Sequence, residues 1–101
     1  MALVSANREH NSVNIHLGLE RLDASNAATV KSEILSNTTI TNMDVLIIDL
    51  GTVTFMDSSG LGALVSVRKN IPDGCEMKLC NTNDFVAKIL KLTRMDRVFT
   101  F

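Results

Sequence analysis

The order of elements legible in the sequence predicts an α/β domain with a mixed, mostly parallel sheet and helices mainly on one face. Three observations carry this. The first 18 residues read as a β-hairpin, Val45–Ile48 is a continuous apolar run, and three helical patterns alternate with strand patterns after the hairpin. Strands separated by helices pair in parallel through crossovers, and crossovers running in one direction place their helices on one side of the sheet. The expected order is β-β-α-β-α-β-α-β, in one domain over residues 1–101. The pattern leaves the strand order open.

Leu3–Glu9 is the first strand candidate and His10–Asn11–Ser12 the turn after it. Val13, Ile15 and Leu17 then alternate with Asn14, His16 and Gly18, as a half-buried strand requires. Asp23, Ser25 and Asn26 offer caps for a helix reaching about Asn37, with Ala27, Val30 and Ile34 on one face. Asp44 introduces Val45–Ile48, closed by Asp49, a run that suits a central strand buried on both faces. A second helix is expected over Ser58–Lys69, with Leu61, Leu64 and Val65 inward. Pro72-Asp73-Gly74 marks a turn, and Glu76–Cys80 alternates as a strand with Met77 and Leu79 inward. Asn83 or Thr82 would cap a third helix to about Thr93 that buries Phe85, Ile89 and Leu90, and Val98–Phe101 would form a short last strand.

Composition sets limits. The chain is 46% hydrophobic and 21% charged, with a net charge of −1 and neither Trp nor Tyr, so it offers no basic or aromatic footprint for nucleic acid. No basic cluster marks a membrane surface, and no apolar run approaches the roughly 18 residues of a membrane span. The start, MALVSANRE, lacks the pattern of a secretory signal, which makes the cytoplasm the expected location. Cys75 and Cys80 would lie roughly 16 Å apart on opposite faces of an extended segment, too far to bond, and read as two buried or half-buried thiols.

The stretch Phe55–Gly62, FMDSSGLG, concentrates the chemistry. It lies after the central strand, at the sheet edge where open α/β folds usually bind or react, and it opens the second helix. Ser58 is an N-cap candidate. Gly60 and Gly62 each cost about 1 kcal/mol relative to Ala in a helix interior. Close packing of this helix offsets such a cost, and so does the approach of another molecule's backbone, which a side chain at Gly60 would obstruct; the two accounts can hold one per glycine. A phosphate on Ser58 would sit favourably at the positive helix end, by about 0.3–1 kcal/mol. It would also add about −1.5 to −2 charges beside Asp57, so a partner shaped for a hydroxyl would meet bulk and like charge.

DSSGLG, preceded by VLIIDL and TVTFM, resembles the STAS family, and within it the bacterial anti-sigma factor antagonists. The resemblance spans nearly the whole chain: the hairpin, Leu22-Asp23, the FMDSSGLG stretch, Gly74–Met77 and the closing helix and strand. It implies that Ser58 is the phosphoacceptor and that Asp23, Asp57, Ser59, Gly60, Leu61 and Gly62 join Ser58 on the partner-facing edge. It implies as partner an anti-sigma factor that is a serine kinase of the histidine-kinase-like ATPase fold. The unphosphorylated antagonist would bind this kinase and free a sigma factor, phosphorylation would end binding, and a PP2C-type phosphatase would restore it. ATP and metal would belong to those enzymes, so no cofactor is expected here, and the chain alone is expected to be a monomer. The segment Gly18-Leu19-Glu20-Arg21-Leu22-Asp23 departs from members that carry Gly two or three residues before Leu-Asp, and the residues up to Phe101 hold no helix after the last strand, where many members have one.

Other chemistries fit less well. A serine nucleophile needs a base, and His10 falls in a turn while His16 faces outward. The nucleophile elbow and the GK[ST] phosphate loop are absent. Asp44, Asp49 and Asp57 could be imagined as a metal set, but the first two read as charges flanking a strand. Arg94–Arg97 reads as a solvated connection. The remaining alternative shares the fold: a STAS regulatory or structural subunit that docks on an ATPase, a transporter or a signalling complex without phosphorylation.

Overall fold

The structure, a computed structural model, describes residues 3–37 and 39–101. β1 (Val4–Glu9) and β2 (Ser12–Leu17) form the expected antiparallel hairpin. The turn is tighter than the sequence suggested: Glu9 pairs with Ser12, leaving His10 and Asn11 to reverse the chain, with His10 at φ 57°. Two short strands follow that the sequence reading missed or merged into loops. These are β3 (Arg21–Leu22), before α1 (Ala27–Leu35), and β5 (Phe55–Met56), after β4 (Val45–Asp49). Then come α2 (Ser58–Lys69), β6 (Glu76–Cys80), α3 (Asp84–Leu92) and a 3-10 turn over Met95–Arg97.

The main sheet has the order β1-β2-β4-β6, with β2, β4 and β6 parallel. The expected last strand is reduced to one parallel bridge, Thr100 with Lys78, held by Leu79 N–H to the Thr100 carbonyl (2.8 Å) and Thr100 N–H to the Met77 carbonyl (3.1 Å). β3 and β5 form a separate two-stranded parallel ribbon.

Strand alternation sends Val13, Ile15, Leu17, Leu46, Ile48, Met77 and Leu79 to one face, all buried in a single core with Val30, Ile34, Leu64, Val67, Val86 and Leu90 from the helices. The opposite face is not covered to the same degree. Val45 and Ile47 are only half-buried, so β4 is sealed on one face and not, as its unbroken apolar run suggested, on both. Each fully buried Leu or Ile contributes about 1.5–3 kcal/mol through removal of apolar surface from water.

α1 buries the residues expected of it, Ala27, Val30 and Ile34. α2 is rotated from the sequence reading. Its buried stripe is Gly60, Ala63, Leu64 and Val67, while Leu61 and Val65 are half-buried. The physical reason is that small residues mark where a helix backbone comes closest to its neighbours, and large ones flank that line. α3 differs too: Val86 and Leu90 are buried, Ile89 is half-buried, and Phe85 is 47% exposed. Arg94, at φ 59°, lets the chain turn out of α3, and Met95 packs against the core, so Arg94–Arg97 is partly anchored rather than wholly solvated.

Candidate phosphoacceptor and docking site

The β3–β5 ribbon carries the candidate site. Leu22 and Met56 point into the core, at 0% and 1% exposure. With a two-residue period, Arg21 and Asp23 then share the outer side of one strand, and Phe55 and Asp57 that of the other. The ribbon is anchored by Thr54 N–H and Phe55 N–H to the Glu20 carbonyl (2.7 and 3.2 Å) and by Asp57 N–H to the Leu22 carbonyl (3.3 Å).

Asp57, not Ser58, is the N-cap of α2. Its Oδ1 accepts from Gly60 N–H at 2.9 Å, and its backbone is extended. Asp57 Oδ2 also accepts from Ala24 N–H at 3.3 Å, so one carboxylate ties the head of α2 to the loop before α1. Ser58 is thereby displaced to the first helical residue. Ser58 and Ser59 are both exposed, and the Ser58 hydroxyl makes no hydrogen bond among the described residues.

The two glycines divide the roles that the sequence left open. A Cβ on Gly60 would stand 2.2 Å from the Leu22 carbonyl oxygen and 2.9 Å from Leu22 Cγ. Gly60 is buried, and its glycine is required by the protein's own backbone, not by an approaching molecule. Gly62 is exposed, with nothing within 4 Å of such a Cβ. Leu61, between them, is half-buried against the core.

Asp23 sits in an Asx arrangement. Its Oδ1 accepts from Ser25 N–H (3.0 Å) and the Ser25 hydroxyl (2.5 Å), and Oδ2 from Arg21 Nε (3.4 Å). These bonds, the Ser25 hydroxyl's foremost, hold the Asp23 carboxyl below its usual range. Asn26 precedes α1 without capping it; its side chain accepts from Asp23 N–H (3.1 Å) and donates to the Arg21 carbonyl (2.7 Å). The structure thus brings Asp23 and Asp57 to one edge with Ser58 through Ala24 and the ribbon.

Sequence reasoning missed the aromatic part of this edge. The Arg21 guanidinium carbon lies 4.1 Å from the centroid of the Phe55 ring, and Phe55 stacks on Phe85 with centroids 5.6 Å apart and planes at 18°. Asn83 caps α3 through Val86 N–H (2.7 Å) and donates to the Thr54 carbonyl (3.3 Å), which fixes the head of α3 beside β5. The available signal was an apolar Phe85 two residues after the Asn83 cap, a position in the first turn that need not face the core.

Neither histidine serves Ser58. His16 Nδ1 pairs with Asp49 Oδ2 at 3.2 Å, and its Nε2 lies 3.3 Å from the Thr52 hydroxyl. Asp49 also accepts from Gly51 N–H (2.8 Å) and Asn81 Nδ2 (3.0 Å), and the bond from Asn81 above all lowers its pKa. Among the described residues no group of three or more His, Cys, Asp or Glu is placed to hold a metal, and no helix is long and apolar enough to cross a membrane. Cys75 and Cys80 are free, and burial raises both thiol pKa values.

A hairpin leading into a parallel sheet, with the DSSG loop at the head of α2, is a STAS arrangement. The STAS domain family model matches residues 6–101, and the chain belongs to that family. Its fold is shared by an anti-sigma factor antagonist domain protein from Planctomyces limnophilus (22% identity, 99% of this chain and 88% of the other, TM-score 0.81). It is shared by an anti-sigma factor antagonist from Mycobacterium paratuberculosis (18% identity, 95% and 80%, TM-score 0.81). The antagonist SpoIIAA matches in its unphosphorylated form (18% identity, 96% and 85%, TM-score 0.76) and, as the Bacillus cell fate determinant, in its phosphorylated form (17% identity, 96% and 88%, TM-score 0.68).

Proposed function

We propose that this STAS protein is an anti-sigma factor antagonist controlled at Ser58. Its unphosphorylated form binds an anti-sigma factor that is a serine kinase of the histidine-kinase-like ATPase fold, and so frees a sigma factor. Phosphorylation of Ser58 ends that binding, and a PP2C-type phosphatase reverses it. The protein itself is substrate and binding partner in this cycle, not an enzyme.

The observation that carries the reading is the freedom of the Ser58 hydroxyl. A serine at a helix head usually works as an N-cap, but here Asp57 holds that position and Ser58 is exposed. Modifying Ser58 breaks no internal hydrogen bond. The phosphate would stand beside Asp57, on the edge that also holds Asp23, and add about −1.5 to −2 charges there. Docking is lost by repulsion and bulk while the fold stays intact. The solved relative named in both unphosphorylated and phosphorylated forms supports the same view, since the shared fold accommodates both states.

The test is a mass shift. The protein is incubated with ATP and each purified candidate kinase of its own cell. A single added phosphate is expected, lost in Ser58→Ala and retained in Ser59→Ala. Loss in Ser59→Ala alone would assign the wrong serine, and no phosphate with any kinase would favour the phosphorylation-independent STAS subunit.

A further inference from the structure

We infer that the shelf formed by Arg21, Phe55 and Phe85 is the anchor on which the kinase proposed above docks. The inference rests on the proposed function.

Its first support is placement. Phe55 and Asp57 share the outer side of β5, Arg21 and Asp23 that of β3, and the two strands pair Arg21 with Phe55 and Leu22 with Met56. Phe55 is three residues from Ser58, so their Cα atoms are within about 11 Å. A standard interface covers about 800 Å² of each partner, a disc of about 16 Å radius. A kinase that seats its active site over Ser58 on this outer side therefore also covers Phe55 and the Phe85 ring stacked on it.

The second support is chemistry. Phe85 is 47% exposed although α3 has a core to face, and it stacks on Phe55 instead of burying itself. Arg21 places its guanidinium carbon 4.1 Å from the Phe55 ring centroid and spends Nε on Asp23, while its two terminal nitrogens have no partner among the described residues. Aromatic residues and Arg in a fixed arrangement are the residue types that carry most of the energy at protein interfaces. A stacked guanidinium with an open fork beside two rings accepts an apolar side chain with a carboxylate next to it. The partner surface is thus an apolar residue flanked by Asp or Glu on the kinase.

Phosphoryl transfer needs Ser58 and the kinase's own groups, so the shelf acts on binding alone. The test uses the full chain and each purified kinase of the histidine-kinase-like ATPase fold from its own cell, with Kd by calorimetry and phosphorylation of Ser58 by mass spectrometry. Phe85→Ala and Arg21→Gln should each raise Kd and the KM for this chain at least tenfold, with kcat within twofold; Phe85→Ala, which loses its stack on Phe55, should lower the thermal midpoint by a few degrees and leave the protein folded at the assay temperature. Phe85→Tyr, which keeps the ring, should bind as the unsubstituted protein does. Leu92→Ala removes a side chain that is 73% exposed near the far end of α3 and should leave Kd within twofold. If the unsubstituted protein binds a kinase and Phe85→Ala and Arg21→Gln both bind it within twofold, the shelf is not the anchor. If no kinase binds or phosphorylates the unsubstituted protein, the proposed function fails and the shelf's role with it.

Discussion

Gly60→Ala and Gly62→Ala, two identical changes two residues apart in α2, should shift stability in opposite directions. At Gly60 the new methyl would lie 2.2 Å from the Leu22 carbonyl oxygen and 2.9 Å from the Leu22 carbonyl carbon. The usual carbon–oxygen contact is about 3.3 Å, so the head of α2 must retreat from β3 by about 1 Å. The obstacle is backbone, and no rotamer change relieves it. The retreat also lengthens the hydrogen bond from Asp57 N–H to that oxygen, already 3.3 Å. Overpacking costs about 1–3 kcal/mol, and a contact against backbone that cannot yield falls at about 2–3 kcal/mol, against a helix-propensity gain of at most about 1 kcal/mol. The net loss is about 1–2 kcal/mol, which lowers the midpoint of a domain this size by about 5–15 °C. At Gly62 nothing lies within 4 Å, so Ala gains propensity without a clash. It should stabilise by about 0.5–1 kcal/mol and raise the midpoint by about 2–8 °C. Thermal unfolding by circular dichroism, checked by urea titration, reads both. A Gly60→Ala protein as stable as the original would refute the close-approach account of this helix. On the proposed function, Gly62→Ala should also weaken kinase binding despite its greater stability.

Further outcomes follow from the same geometry. Asp57→Ala removes the N-cap and the tie to Ala24 and should cost about 1 kcal/mol in urea unfolding, whereas Asp57→Asn keeps the cap, loses only the tie to Ala24, and should cost less. Asp49 has a folded pKa below its unfolded value of about 3.9, so its contribution is present above that pH and lost as pH falls through the folded pKa. Asp49→Asn, and Asn81→Gly, which keeps the positive φ of 58° accessible while removing the bond, should both flatten the acid limb of a stability-versus-pH curve. Burial raises the pKa of both thiols, so Cys75 and Cys80 should resist alkylation in the native protein at pH 7 and react on unfolding, as read by mass spectrometry.

What the sequence disclosed tracks hydrophobic periodicity. The hairpin, β4, β6 and the full span of α2 follow from alternation and from 3.6-residue spacing, signals that accumulate over five or more residues. β3 and β5 escaped because each is two residues long, too short for a period to show, and because each exists only by pairing with the other. The facing of α2 was misjudged because apolar bulk was taken to mark the contact line, where Gly60 and Ala63 in fact permit it. Phe85 was assigned to the core by type, but its partner is Phe55, a contact across 30 residues that no local pattern reveals. In the loop before α2 the sequence reading misassigned the cap: DSSG offers three residues able to cap, and only the backbone of the helix head selects Asp57 over Ser58.

The central claim is that the covalent state of one exposed hydroxyl decides docking without altering the fold. Calorimetric titration of the kinase that modifies this protein, with fully Ser58-phosphorylated and unphosphorylated samples of matched thermal midpoint, tests it directly. The account predicts binding at least a hundredfold weaker for the phosphorylated sample; equal affinity for the two would contradict it.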